Sequence, residues 1–101
     1  MINKITEQIL ENPYFVCNYL FLRGSYACNT NNNTSDMDFL VVSRDFTSVS
    51  ILKRKDLFNK AILGLEVKVT IDVICLSEEE YFQYINSRRN MLFNERMIRL
   101  I

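Results

Sequence analysis

Apolar residues recur at helical spacing in the first eleven positions: Ile2, Ile5 and Ile9 share a face, with Lys4, Glu7 and Glu11 elsewhere on the wheel. This period predicts an amphipathic helix, which Pro13 stops because it has no N–H to give. The pattern then changes. Phe15 to Leu22 is an aromatic and β-branched run bounded by Pro13 and Gly24, and it predicts a strand. Gly24-Ser25 turns the chain into a short helix through Tyr26 and Ala27. Residues 29–35 hold only Asn, Thr and Ser, whose side chains bond their own backbone, so this stretch is a loop.

Asp36 to Ser43 reads as a second strand. A long helix follows, with Ile51, Leu52, Phe58, Ile62 and Leu65 lining one face and Lys53, Arg54, Lys55 and Lys60 largely on the others. That basic face reads as solvated, with contact to RNA or an acidic partner as the alternative. Glu66 to Leu76 predicts a third strand, with Val67, Val69, Ile71 and Val73 on one side. Ser77 and Glu80 have the spacing of a capping box, opening a helix that carries Tyr81, Phe82 and Ile85 inward. Arg88 and Arg89 suit the C-terminal end of that helix electrostatically. The apolar tail predicts a short strand or turn around Met91 to Phe93, then a terminal helix. The order α-β-α-β-α-β-α describes an α/β (α+β) single domain, residues 1–101: a small sheet flanked by helices. Pattern alone leaves the relative direction of the first two strands open.

With 101 residues, 49% of them apolar, the chain can bury a core but has little surface left to enclose a large substrate alone. Twelve basic and twelve acidic residues cancel, so no overall charge draws it to nucleic acid. No apolar run approaches the roughly eighteen residues of a membrane span, and no signal-peptide pattern opens the chain, which predicts a cytoplasmic protein. Cys17, Cys28 and Cys75 are odd in number and widely spaced, as expected of incidental thiols in a reducing compartment. Histidine is absent. Ser-His and Cys-His nucleophile pairs are thereby excluded, and metal chemistry would rest on oxygen ligands, as Mg²⁺ or Mn²⁺ prefer.

The candidate chemistry lies in Arg23-Gly24-Ser25 and Asp36-Met37-Asp38, with ten residues between Ser25 and Asp36. Gly24 permits close backbone approach, and the N-terminus of a following helix suits phosphate, to which Ser25 adds a hydroxyl. Arg23 either points toward the phosphates or ends its strand in solvent. Strand side chains alternate, so Asp36 and Asp38 project to one side. Their charges repel, and a divalent cation would neutralise the pair. Asp-x-Asp alone is common and equally describes a loop end beside a solvent-facing Asp. Asp72 adds weight because it lies in Val67–Ile74, the most β-like run of the chain, where a buried carboxylate is costly unless paired or metal-bound. A surface-facing Asp on an edge strand is the alternative.

Gly24-Ser25, ten residues, Asp36-Met37-Asp38, and Asp72 on a later strand together resemble the signature of polymerase-beta-type nucleotidyltransferases. The small size resembles the minimal nucleotidyltransferase (MNT) subgroup. The resemblance implies a mixed sheet of three to four strands flanked by helices. It implies that Gly24, Ser25 and Arg23 hold the triphosphate of ATP. Asp36, Asp38 and Asp72 would ligate two Mg²⁺ ions, with Asp72 also helping to activate the attacking hydroxyl. It further implies transfer of AMP to a tyrosine of an all-helical HEPN-type toxin partner, which the chain would silence as an antitoxin, possible homo- or hetero-oligomers included. Where members of the family often carry Arg-Gly after the Gly-Ser turn, this chain has Cys28-Asn29. Two other readings stand beside this one: a module that neutralises its partner by contact alone, and a nucleotidyltransferase acting on RNA or a small molecule.

Overall fold

The computed structural model describes residues 1–24, 36–88 and 97–101. Helix α1 spans Ile2–Glu11 and buries Ile5 and Ile9. It ends where Pro13 withdraws a donor, and Asn12 closes the end: its amide donates to the Ile9 carbonyl at 2.5 Å, while its Oδ1 accepts the N–H groups of Tyr14 and Phe15. Strand β1 is Tyr19–Arg23, shorter than the expected run from Phe15. The reason is visible before it. The Phe15 ring packs at a tilt against Phe46, centroids 5.0 Å apart, and the Val16 N–H donates to Asp45, so side contacts replace ladder bonds there.

Strand β2 spans Met37–Val42, and a single 3₁₀ turn, Arg44–Phe46, buries Phe46. Helix α2 is Ile51–Ala61, opened by the Ser50 hydroxyl accepting from the Lys53 N–H. Strand β3 is Ile71–Leu76, helix α3 Glu78–Arg88 and strand β4 Met97–Arg99. The four strands lie in the order β3-β2-β1-β4; β1 is antiparallel to both neighbours and β2 runs parallel to β3, giving a mixed sheet. Alternation sorts the side chains onto two faces. Leu20, Leu22, Phe39, Val41, Val73 and Cys75 pack under α1 and α2, while Phe21, Leu40 and Val42 pack with Tyr81 and Tyr84 of α3. Phe39, Phe46 and Phe58 are fully buried, each contributing about 1.5–3 kcal/mol relative to exposure.

Four sequence expectations are corrected here. Phe58, Ile62 and Leu65 face the core as expected, but Ile51 and Leu52 are exposed and Arg54 and Ala61 turn inward, so the expected apolar face fails in the first turn of helix α2. Arg54, expected on the basic surface, is 5% exposed. Its Nε donates to the Val49 carbonyl, and its Nη1 to the Cys75 carbonyl at 3.0 Å and to Glu80 at 2.5 Å. A guanidinium can enter the interior only with such a set of acceptors. Tyr81 packs inward as expected, but Phe82 is exposed and Tyr84 takes an inward position instead. Finally, Met97–Arg99 is a strand rather than a terminal helix, because β1 offers it an open edge. The Ser77–Glu80 capping box forms as expected: Glu80 accepts the Ser77 N–H at 2.8 Å and the Ser77 hydroxyl accepts the Glu80 N–H. The short helix after Gly24, the polar loop, Arg89 and the Met91–Phe93 turn lie outside the described residues. Among those described, no helix is long and apolar enough to cross a membrane.

Candidate active site

The topology brings the C-terminal end of β1 beside the N-terminal ends of β2 and β3. Antiparallel pairing sets Arg23 opposite Asp38, and parallel pairing sets Asp38 beside Asp72. Laterally paired residues point to the same side of a sheet, so Arg23, Asp38 and Asp72 form a row across three strands. The row lies on the α3 face, one pleat beyond Phe21, Leu40 and Ile74. Met97 of β4 extends it past Arg23.

Gly24 follows Arg23 directly, in a left-handed conformation at φ +71°. A Cβ at this position would stand 2.6 Å from Asp38 Oδ2. Two independent reasons therefore demand glycine: the backbone angle and the carboxylate against it. Sequence reasoning named Gly24 for close approach to phosphate and missed its contact with Asp38. No local signal carries that contact, because the two residues meet only through strand register.

Asp38 is half-buried, whereas Asp36, just ahead of β2, is exposed. Asp72 is exposed as well, on an edge strand, and its Oδ1 accepts the Val73 N–H at 3.0 Å. The expectation of a buried carboxylate in mid-strand is thus corrected: Asp72 is the second residue of a strand that begins at Ile71, and no desolvation cost attaches to it. The structure brings Asp38, Asp72 and Arg23 together and holds Gly24 against them. Among the described residues no three His, Cys, Asp or Glu side chains gather into a group that could hold a metal, so Asp36 does not close a triad with the other two here. Ser25 lies outside the described residues.

The strongly perturbed groups sit elsewhere. Burial, together with neighbouring Cys75, pushes the Cys17 thiol up to about 12, and burial pushes Cys75 up to about 11. Both are poor nucleophiles. Hydrogen bonds from Arg54 and from the Ser77 N–H hold the Glu80 carboxyl below its ordinary range, in a structural rather than catalytic setting.

The sequence matches the model of the nucleotidyltransferase domain over residues 3–98, nearly its whole length. The chain belongs to the nucleotidyltransferase domain family. No curated protein matches it. A crystal structure from Sulfolobus solfataricus, assigned as a nucleotidyltransferase, is similar with a TM-score of 0.61 at 23% identity, over 81% of this chain and 68% of its own. A Bol-like protein from Babesia bovis is similar with a TM-score of 0.58 at 20% identity, over 81% of this chain and 91% of its own. At such identities the likeness shows the fold, and two differently described proteins share it, so shape alone does not choose a chemistry. The nucleotidyltransferase assignment rests on the sequence match, and the mixed four-stranded sheet agrees with it.

Proposed function

We propose that this nucleotidyltransferase domain transfers AMP from ATP to the tyrosine hydroxyl of a HEPN-type helical toxin, and so acts as its antitoxin. The observation that carries the reading is the Arg23–Asp38–Asp72 row with Gly24 folded against Asp38. Mg²⁺ takes oxygen ligands; Asp38 and Asp72, side by side in the register, would hold it, and Asp36, which does not gather with them here, would have to join them to complete sites for two ions. Bound there, the metal would neutralise triphosphate charge and ease deprotonation of the acceptor hydroxyl.

The chain's own residues supply the rest. Gly24 lets the backbone lie close against Asp38, whose Oδ2 occupies the space a Cβ would need. Arg23 brings a fixed positive charge next to the carboxylates, which would favour the charge of a bound triphosphate. Ser25, following Gly24, is the proposed hydroxyl donor to the triphosphate. Asp72, exposed on a terminal strand, would accept the proton of an incoming hydroxyl. In the transfer the tyrosine oxygen bonds to the α-phosphorus, the bond from that phosphorus to the α–β bridging oxygen breaks, and pyrophosphate leaves. Asp72 lies exposed on a terminal strand of the sheet, where an acceptor carried on another protein could reach it.

Incubation with α-labelled ATP, Mg²⁺ and the HEPN-type partner tests this reading. Label on a partner tyrosine, lost with Asp38→Ala in a folded protein, is the expected result. Partner inhibition that persists in Asp38→Ala without ATP would instead establish neutralisation by contact, and label on RNA or a small molecule alone would move the acceptor elsewhere.

A further inference from the structure

Residues 65–72 alternate strictly between half-buried and exposed positions. Leu65, Val69 and Ile71 pack against the core under α1 and α2, and Val67 lines the same cleft; Glu66, Lys68, Thr70 and Asp72 face outward. A period of two is that of extended chain. Among the described residues the first bond to β2 is the Met37 N–H donating to the Thr70 carbonyl at 2.9 Å. Among the described residues no backbone hydrogen bond joins 66–69 to the sheet. Because β3 is the terminal strand, this segment prolongs an open edge, which is a template for another strand.

What would pair there is indicated by charge. Glu66 and Lys68 flank Val67 with opposite signs, a self-complementary pattern suited to an isologous contact. We propose that a second copy of this chain pairs antiparallel with this segment about a two-fold axis through Val67. Glu66 then lies opposite the partner's Lys68, Lys68 opposite the partner's Glu66, and Leu65 opposite the partner's Val69. Opposite charges directly across a pair of strands stabilise it and like charges destabilise it. A shift of the axis to Val69 would set Glu66 against the partner's Asp72, which disfavours it. Leu63, at 79% the most exposed large apolar side chain among the described residues, lines the rim of the same cleft and would be covered. The paired stretch stops short of Asp72.

Sedimentation of the whole chain tests the proposal, with folding checked by circular dichroism. The wild type is expected at twice the 12.0 kDa chain mass. Glu66→Lys and Lys68→Glu are each expected as monomers, and their equimolar mixture is expected to form a heterodimer, because both ion pairs are restored only between the two variants. A monomeric wild type would overturn the proposal. So would single variants that stay dimeric, or monomeric variants that fail to recombine on mixing.

Discussion

Gly24→Ala isolates the contact on which the site is built, and Gly64→Ala is its internal control. These are the chain's only two glycines, and both have positive φ, +71° and +96°. Alanine pays about 1–2 kcal/mol to hold such an angle, so both variants should lose roughly that much stability. For a domain of this size each kcal/mol lowers Tm by about 4–8 °C. A Cβ on Gly64 meets nothing within 4 Å, whereas one on Gly24 stands 2.6 Å from Asp38 Oδ2. That carboxylate must retreat by most of an ångström to reach ordinary contact near 3.4 Å. Pushing it off its rotamer adds about 0.5–1.5 kcal/mol, and misplacing a group in a reacting site by this much costs on the order of 10²-fold in rate. Gly24→Ala should therefore slow AMP transfer by about 10²-fold at saturating enzyme stability, with Gly64→Ala unchanged. In an Asp38→Ala background the extra stability cost of Gly24→Ala should vanish, leaving the backbone penalty alone. Chemical denaturation of the four-member cycle and initial rates measure both effects. Equal rates in the two alanine variants, with no coupling to Asp38, would refute the reasoning.

Arg54→Met should cost about 2–3 kcal/mol, because the Val49 and Cys75 carbonyls lose their donor; Glu80, 43% exposed, can be resolvated and limits the loss. Thermal melts check the figure, and Arg54→Lys should rescue little of it, since an ammonium cannot span the same three acceptors. Glu80 is held below its ordinary carboxyl range by Arg54 and the Ser77 N–H. Its contribution is therefore full above the unfolded value of 4.5 and fades as pH falls through the lower folded value. The Tm gap between wild type and Glu80→Gln should narrow from neutral pH toward pH 3, and a gap independent of pH would contradict it. Cys17 and Cys75, raised to about 12 and about 11, should be alkylated far more slowly at pH 8 in the folded chain than after denaturation, as peptide mass spectrometry reads.

Much of this arrangement was legible in the residues because it is local. Ile5 and Ile9, the stop at Pro13, and the Ser77–Glu80 capping box each depend on spacings of four residues or fewer. The strand from Asp36 onward, and with it the placement of Asp38, followed from a single β-like run. What sequence could not show depends on partners far along the chain. Arg54 is drawn inward by acceptors from three separate segments, which overrides the basic pattern around it. The tail pairs as β4 because β1, more than seventy residues earlier, has an open edge. Asp72 is exposed because β3 lies at the rim of the sheet, a fact of strand order rather than of composition. Its adjacency to Asp38 and Arg23 likewise exists only in the register.

Calorimetric titration of the isolated chain with a non-hydrolysable ATP analogue tests the central claim, that the Arg23–Asp38–Asp72 row is a metal-dependent nucleotide site. The expected result is saturable binding of one nucleotide per chain that requires Mg²⁺, is lost in Asp38→Ala, and persists in Asp56→Ala, where an exposed α2 carboxylate is removed instead. Binding that ignores Mg²⁺, or that survives Asp38→Ala undiminished, would contradict it.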